Sequence, residues 1–343
     1  MTNIKSNQHP TTLTQILQQA EALYSFKVQK EIKNGLSGSW VFEGQADVSC
    51  ILKISEYSKA RAAHLNFETK WTANLAKNMT GIARPVLSSK NRLFETITTG
   101  DGKEYLLFLQ EKVAGKLIDS ESPAEFNLQL FENLGAVMGE MHQLTQHYPE
   151  NQEDFSFAWN GPQIWRRNIP ILDEAVSQRE QGLIHQLASL PKETAVYGIV
   201  HFDIHPENFL VEETQITLID FDACQFNWYA ADIASTLFFI VQTAAGPQKK
   251  LAEEKRREFA EQFLIAYLKG YLEKKTIEPE WIRRLDLFMK YQMVDEYVAA
   301  QTYWQGDAAD RQWYLQWFKG RLLDNLSYVE IDFDKVIYTV FSE

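Results

Sequence analysis

Two short stretches carry oxygen donors at a spacing that suggests chemistry. In Val200-His201-Phe202-Asp203-Ile204-His205-Pro206-Glu207-Asn208 an acid and an amide stand five residues apart. In Leu218-Ile219-Asp220-Phe221-Asp222 an apolar run ends in two carboxylates. Between them, 209–211 and 216–219 read as short strands, and the hairpin they form would bring Asp203, Asn208, Asp220 and Asp222 into one neighbourhood. Three carboxylates held together repel, and one would take up a proton unless positive charge is supplied. Mg2+ supplies it: the ion prefers oxygen ligands, accepts one or two carboxylates and completes its shell with water and phosphate oxygens. The pattern points to phosphoryl transfer. Read as mere turn carboxylates, the same residues would leave the strand–turn–strand context a coincidence.

Those residues need a scaffold, and the rest of the chain supplies one in two styles. Thr12 and Gln15 have capping-box spacing, and Leu13, Ile16, Leu17, Ala20 and Leu23 form one apolar helical face over 12–24. Strands are predicted at 26–32, 40–43 and 50–54, a helix at 67–75, and a hairpin from 93–98 and 104–112 around Asp101-Gly102. Within the apolar run Cys50-Ile51-Leu52-Lys53-Ile54, Lys53 points to the face opposite Leu52 and Ile54. After Gly115 the period changes to helical. Phe131, Leu134, Met138 and Met141 recur beside Gly135 and Gly139, and Phe259, Phe263, Tyr267 and Tyr271 recur every four residues. Further amphipathic stretches cover 281–303. The predicted architecture is α+β and bilobal: a β-rich lobe over 1–112 and a larger helical lobe over 113–343, joined near 111–115.

Charge and composition narrow the partners. Lys+Arg number 34 and Asp+Glu 46, a net charge of −12. Such a surface repels phosphate backbones and anionic lipid, so neither nucleic acid nor membrane is expected as a partner. The two cysteines, Cys50 and Cys224, sit in no CxxC or Cys/His cluster, which argues against zinc or a disulfide framework and fits a reducing compartment. The N-terminus is polar and the longest apolar runs, such as 237–241, are too short to span a bilayer. A cytoplasmic protein is expected.

The motif H-x-D-x-x-x-x-N followed by D-F-D resembles the aminoglycoside phosphotransferase and choline kinase family of the protein-kinase-like fold. The stretch from His201 to Asn208 is similar to that family's His-Gly-Asp-Leu-His-Pro-x-Asn loop, with Phe202 at the Gly position. Asp220-Phe221-Asp222 resembles its metal motif, and Asp232-Ile233-Ala234 its following Asp-Leu-Ala helix start. The resemblance implies roles. Asp203 would accept the proton of the substrate hydroxyl. Asn208 and Asp220 would hold Mg2+, with Asp222 assisting a second ion. Lys53 would hold the α- and β-phosphates of ATP, with Glu68 on the next helix as its ion-pair partner and Glu56 as the competing candidate. Backbone N–H groups of the turn at Gly35, Ser37 and Gly38 would cover the phosphates, and backbone groups of Glu111 and Val113 would pair with the adenine edge. His142 and His201 are expected as structural residues.

The expected acceptor is a small-molecule hydroxyl. No A-P-E-like segment follows Asp220, and only nine residues separate Asp222 from Asp232, too few for a long regulated activation loop. Trp159, Trp165, Trp228, Tyr229, Tyr297, Tyr303 and Trp304, with Asp295 and Glu296, are candidates to line the acceptor pocket. Aromatic rings beside carboxylates would suit an amine-containing acceptor, although helical aromatics are commonly core. Two other readings stay open: an atypical bacterial Ser/Thr protein kinase, and a non-catalytic kinase-like scaffold. The presence of Lys53, Asp203, Asn208 and Asp220 together speaks against the scaffold.

Overall fold

The computed structural model describes residues 10–32, 39–149 and 154–342. The chain divides into two compact units, one of Met1–Gly115 with Thr217–Asp222, the other of Lys116–Ile216 with Ala223–Glu343. The sequence places the boundary at 112/113 and does not anticipate the return of 217–222 to the first unit.

The first unit is a five-stranded antiparallel sheet with a helix on each face. Its elements are α1 (Pro10–Tyr24), β1 (Lys27–Ile32), β2 (Trp40–Gln45), β3 (Ser49–Glu56), α2 (Lys59–Asn78), β4 (Glu95–Thr98) and β5 (Glu104–Glu111), with strand order β1-β2-β3-β5-β4. Alternation along β3 sorts the faces. Cys50, Leu52 and Ile54 are fully buried and pack with Leu107, Leu109 and the α1 residues Ile16, Ala20 and Tyr24. On the other face Leu106 and Phe108 meet Leu65 of α2. The β4–β5 hairpin turns at Asp101-Gly102, where Gly102 adopts φ +81°, a conformation open to glycine. Helix α2 starts well before the predicted position, because Lys59-Ala60-Arg61-Ala62-Ala63 has helix propensity without apolar period. Ser58 caps it, accepting from the Arg61 N–H at 3.0 Å. The segment 217–222 joins this unit through the Leu218 N–H, which donates to the Gly81 carbonyl at 2.8 Å. Phe221 adds an edge-to-face contact with Trp71 at 5.6 Å.

The second unit is mostly helical. Its elements are α3 (Leu128–Gln146), α4 (Glu174–Ala188), β6 (Tyr197–Val200), β7 (Phe209–Glu212), β8 (Gln215–Leu218, where the chain crosses into the first unit), β9 (Gln225–Trp228), α5 (Tyr229–Ala245), α6 (Glu253–Leu272), α7 (Pro279–Arg283), α8 (Leu285–Tyr303), α9 (Ala308–Leu323) and α10 (Phe333–Phe341). β6 pairs antiparallel with β9, and β7 pairs with β8 through Glu213 and Thr214. Helices α3 and α6 cross at near backbone contact. A Cβ at Gly135 would lie 1.9 Å from the Tyr267 carbonyl oxygen, and one at Gly270 1.8 Å from that of Glu132. Of the candidate pocket aromatics, Trp159, Trp228, Tyr229 and Tyr297 are buried in the core, and the Trp165 side chain lies outside the described residues. Among the described residues no helix is long and apolar enough to cross a membrane.

Candidate active site

In the helical unit the site is a loop clamped from behind. β6 is buried along its length and ends at Val200, so the next residues emerge at a fixed point. Phe202 then turns the chain with φ +65°, a left-handed conformation that costs a non-glycine residue about 1–2 kcal/mol. Asp232, in the first turn of α5 and fully buried, holds this turn in place. Its Oδ1 accepts the Phe202 N–H at 2.8 Å, and its Oδ2 accepts the His201 N–H at 3.1 Å and meets His142 Nε2 at 2.9 Å. Burial lowers the pKa of His142, against the pull of Asp232. Burial also raises Tyr271 well above the ordinary phenol range, so its hydroxyl stays protonated. A neutral ring satisfies both contacts when Nε2–H donates to Asp232 and Nδ1 accepts from Tyr271 Oη at 2.9 Å. His142 is therefore a structural residue, as expected.

Beyond the turn, Asn208 Nδ2 donates to the Asp203 carbonyl at 2.8 Å and to Asp203 Oδ2 at 3.0 Å. These bonds fix the amide plane and aim Asn208 Oδ1 away from Asp203. His205 Nε2 stands 3.8 Å from Asp203 Oδ2, and the Asp203 side chain is 37% exposed. Asp203 is thus oriented by its neighbours yet open to a substrate.

A second carboxylate site lies along the same unit. The His205 ring packs edge-on against Phe239 of α5 at 5.8 Å. Gln242, three residues on and about 4.5 Å along the axis, donates to Tyr314 Oη at 2.6 Å. Tyr314 in turn donates to Glu296 Oε1 at 2.6 Å, and the Trp304 ring stands 5.2 Å from the Tyr314 ring. Burial raises the Glu296 pKa, with the Tyr314 bond opposing and Asp295 reinforcing the rise. Its neighbour Asp295 has a cation, Arg166 Nε at 2.9 Å. Among the described residues no cation lies within ion-pair distance of Glu296.

The β-rich unit holds a separate cluster of charge. Lys53 projects from β3 and pairs with Asp220 Oδ1 at 2.8 Å, with Asp222 Oδ1 at 4.0 Å. Asp220 takes φ +61°, a conformation that Asp tolerates better than most residues. Glu68 is 2% exposed, but it is not the ion-pair partner of Lys53. Its Oε2 faces Arg61 NH1 at 3.8 Å and His64 Nδ1 at 4.0 Å. Arg61 NH2 also bonds Asp222 Oδ1 at 3.2 Å. Burial, then the charge of Asp222, pushes the Glu68 carboxyl up to about 8, with Arg61 and Lys53 opposing. Burial would raise Asp222 too, but the charges of Arg61, Lys53 and His64 hold it well below the usual carboxylate range. Lys53 is raised: burial alone would lower it, and Asp222, Asp220 and Glu68 outweigh that effect.

At the end of β5 the Glu111 N–H donates to the Arg84 carbonyl and the Lys112 N–H to that of Ser49, each at 2.8 Å. Strand alternation therefore puts the Glu111 carbonyl on the edge away from β3, with Val113 two residues on. Gly35, Ser37 and Gly38 lie outside the described residues. Sequence reasoning named Glu296 and missed two features: the role of Asp232 as a clamp, and Arg61. The last had a signal, since Arg61, His64 and Glu68 are spaced by three and four residues and so share one helix face.

A five-stranded antiparallel sheet carrying an inward lysine, and a helical unit carrying an H-x-D-x-x-x-x-N loop, define a kinase-fold phosphotransferase. The chain matches the model of the phosphotransferase enzyme family (APH) over residues 28–285 and belongs to that family. It is an enzyme that transfers phosphoryl groups to hydroxyls. It is 29% identical over 280 residues to amicoumacin kinase of Bacillus subtilis (strain 168), covering 80% of this chain and 81% of that one. Among solved structures it is similar to amicoumacin kinase hAmiN in complex with AMP-PNP, Ca2+ and Ami. The TM-score is 0.81 at 27% identity, over 94% of this chain and 96% of that one. The choline kinase LicA from Streptococcus pneumoniae shares the fold, with a TM-score of 0.57 at 15% identity over 91% of this chain and 98% of that one.

Proposed function

We propose that this enzyme uses ATP and a divalent metal, Mg2+, to phosphorylate a hydroxyl of an amine-bearing small molecule. The observation that carries the reading is the oriented, solvent-open Asp203 with its Asn208 brace. Asp203 accepts the hydrogen bond of the acceptor hydroxyl and finally its proton. A carboxylate suffices as base because a loose transition state needs orientation more than early deprotonation. Lys53 binds phosphate, and the backbone of Glu111 and Val113 binds the adenine edge.

The donor set suits Mg2+. Asn208 Oδ1 and the Asp220 carboxylate are hard oxygen donors. Mg2+ takes few protein ligands and keeps water and phosphate oxygens, so two such donors suffice. When bound, it would neutralise charge on the transferring group.

Glu296 supports the amine. A half-buried carboxylate that accepts from Tyr314, whose ring stands beside the Trp304 indole, and that has no cation within ion-pair distance among the described residues would gain from a ligand ammonium. The amicoumacin kinase relatives support a small-molecule acceptor over a protein. The test is ATP turnover by the purified enzyme with amicoumacin and a panel of amino alcohols, each beside an analogue lacking the amine. Turnover restricted to the amine-bearing members is expected. Equal turnover of the amine-free analogues would remove Glu296 from the acceptor site, and turnover only with Ser/Thr peptides would move the enzyme to the protein kinases.

A further inference from the structure

The cluster in the β-rich unit holds one cation more than phosphate binding by Lys53 needs. Arg61 comes from the first turns of α2, set by the Ser58 cap, and reaches two carboxylates from different parts of the chain. Its NH2 bonds Asp222 Oδ1 at 3.2 Å, and its NH1 stands 3.8 Å from Glu68 Oε2. That Glu68 oxygen is buried and has no hydrogen-bond donor in reach among the described residues, so the guanidinium stands at ion-pair distance only. Asp222 is 25% exposed in its side chain, and Lys53 Nζ stands 4.0 Å from its Oδ1. Lys53 stands far closer to Asp220, at 2.8 Å.

We propose that Arg61 is a positioning residue that occupies, with its guanidinium, the place at Asp222 that a second divalent ion would otherwise take. Asp222 is then a structural anion rather than a metal ligand. Its compensation by Arg61 leaves Lys53 available to exchange Asp220 for the nucleotide phosphates. Arg61 suits this task because its forked donors can face two carboxylates at once, whereas an ammonium acts as a point charge. Without it, Asp222 is left with Lys53 as its nearest cation, and the lysine is drawn from the phosphates.

This inference rests on the metal-dependent phosphotransfer reading, and the experiment separates the two. Binding of AMP-PNP is measured by calorimetry across a Mg2+ titration for the native enzyme, Arg61→Gln, Arg61→Lys, Asp222→Asn and the Arg61→Gln/Asp222→Asn double variant, with thermal unfolding as the folding check. Arg61→Gln is expected to weaken AMP-PNP about tenfold at low Mg2+, the size of one lost charge-assisted hydrogen bond, and high Mg2+ is expected to restore it. Arg61→Lys recovers part of the loss. Adding Asp222→Asn to Arg61→Gln restores binding, because the uncompensated charge is gone. In Asp222→Asn alone, the half-saturating Mg2+ concentration shifts less than about threefold, a difference below 1 kcal/mol. A shift of about tenfold or more there, together with tighter Mg2+ dependence in Arg61→Gln, would overturn the proposal and make Asp222 a metal ligand for which Arg61 competes. Should Arg61→Gln fail to fold, the Asp222→Asn titration decides alone. Absence of Mg2+-dependent AMP-PNP binding in the native enzyme would instead sink the underlying phosphotransfer reading.

Discussion

Replacing Asp232 tests the idea that the catalytic loop is held from behind. Three donors converge on its carboxylate: the His201 N–H, the Phe202 N–H and His142 Nε2. All lie at a residue that is fully buried. Each buried donor left unpaired costs about 1–3 kcal/mol. In Asp232→Ala a water can enter the vacated space and re-pair one of them, so the loss is expected at about 2–6 kcal/mol for the two donors left unpaired. Asp232→Asn keeps one oxygen. Whichever way the amide turns, one backbone donor meets an NH2 group, so about 1–2 kcal/mol is expected. Urea unfolding at pH 7.5 measures both, with the m-value checking that the transition stays two-state. Turnover is expected to fall in the same order, because the clamp ends one residue before Asp203. A loss below about 1 kcal/mol in Asp232→Ala, or equal losses in the two variants, would refute the clamp.

Three further outcomes follow from the same loop. Asp203→Asn should leave AMP-PNP affinity near native while turnover falls by about 10²–10⁴-fold, the usual cost of a lost general base; preserved turnover would reassign the base. Phe202→Val should destabilise by about 2 kcal/mol in the same urea assay, because a β-branched side chain fits φ +65° worse than Phe does. The depressed pKa of His142 gives a sign to the pH dependence. Below about pH 6.5 the unfolded imidazole binds a proton that the folded one refuses. Stability should therefore fall as pH drops from about 6.5, by up to about 1.4 kcal/mol per unit, and His142→Gln should lose that part of the slope in urea midpoints taken from about pH 8 to 5.

The sequence made the carboxylate motifs legible because they are local. Asp203 and Asn208 sit five residues apart and need only one loop to meet. The face of Lys53 followed from strand alternation, and the hairpin at Asp101-Gly102 from turn chemistry. The partner of Lys53 was not legible: pairing it with Glu68 presumed a helix–strand contact, whereas the structure gives it Asp220, 167 residues away. The His142–Asp232–Tyr271 chain was hidden for the same reason, since its members come from α3, α5 and α6. Of the helices that went unread, α9 carries little apolar periodicity, whereas Phe333, Val336, Ile337 and Val340 give α10 a clear apolar face that the sequence did offer. Most of the aromatics considered for the acceptor pocket fill the core, the common place for helical aromatics, and contact geometry adds to Glu296 its bond from Tyr314.

The glycine seam between α3 and α6 has a reach beyond packing. Tyr271 follows Gly270 directly, and His142 lies two turns beyond Gly135, so the spacing of these helices sets how the phenol meets the imidazole behind the loop. A methyl wedge at position 270 would pry the helices apart and loosen a bond that ends, two contacts later, at the backbone beside Asp203. Selection for activity would then reach into the far interior, and efforts to harden this enzyme by replacing helical glycines with alanine should leave that seam untouched.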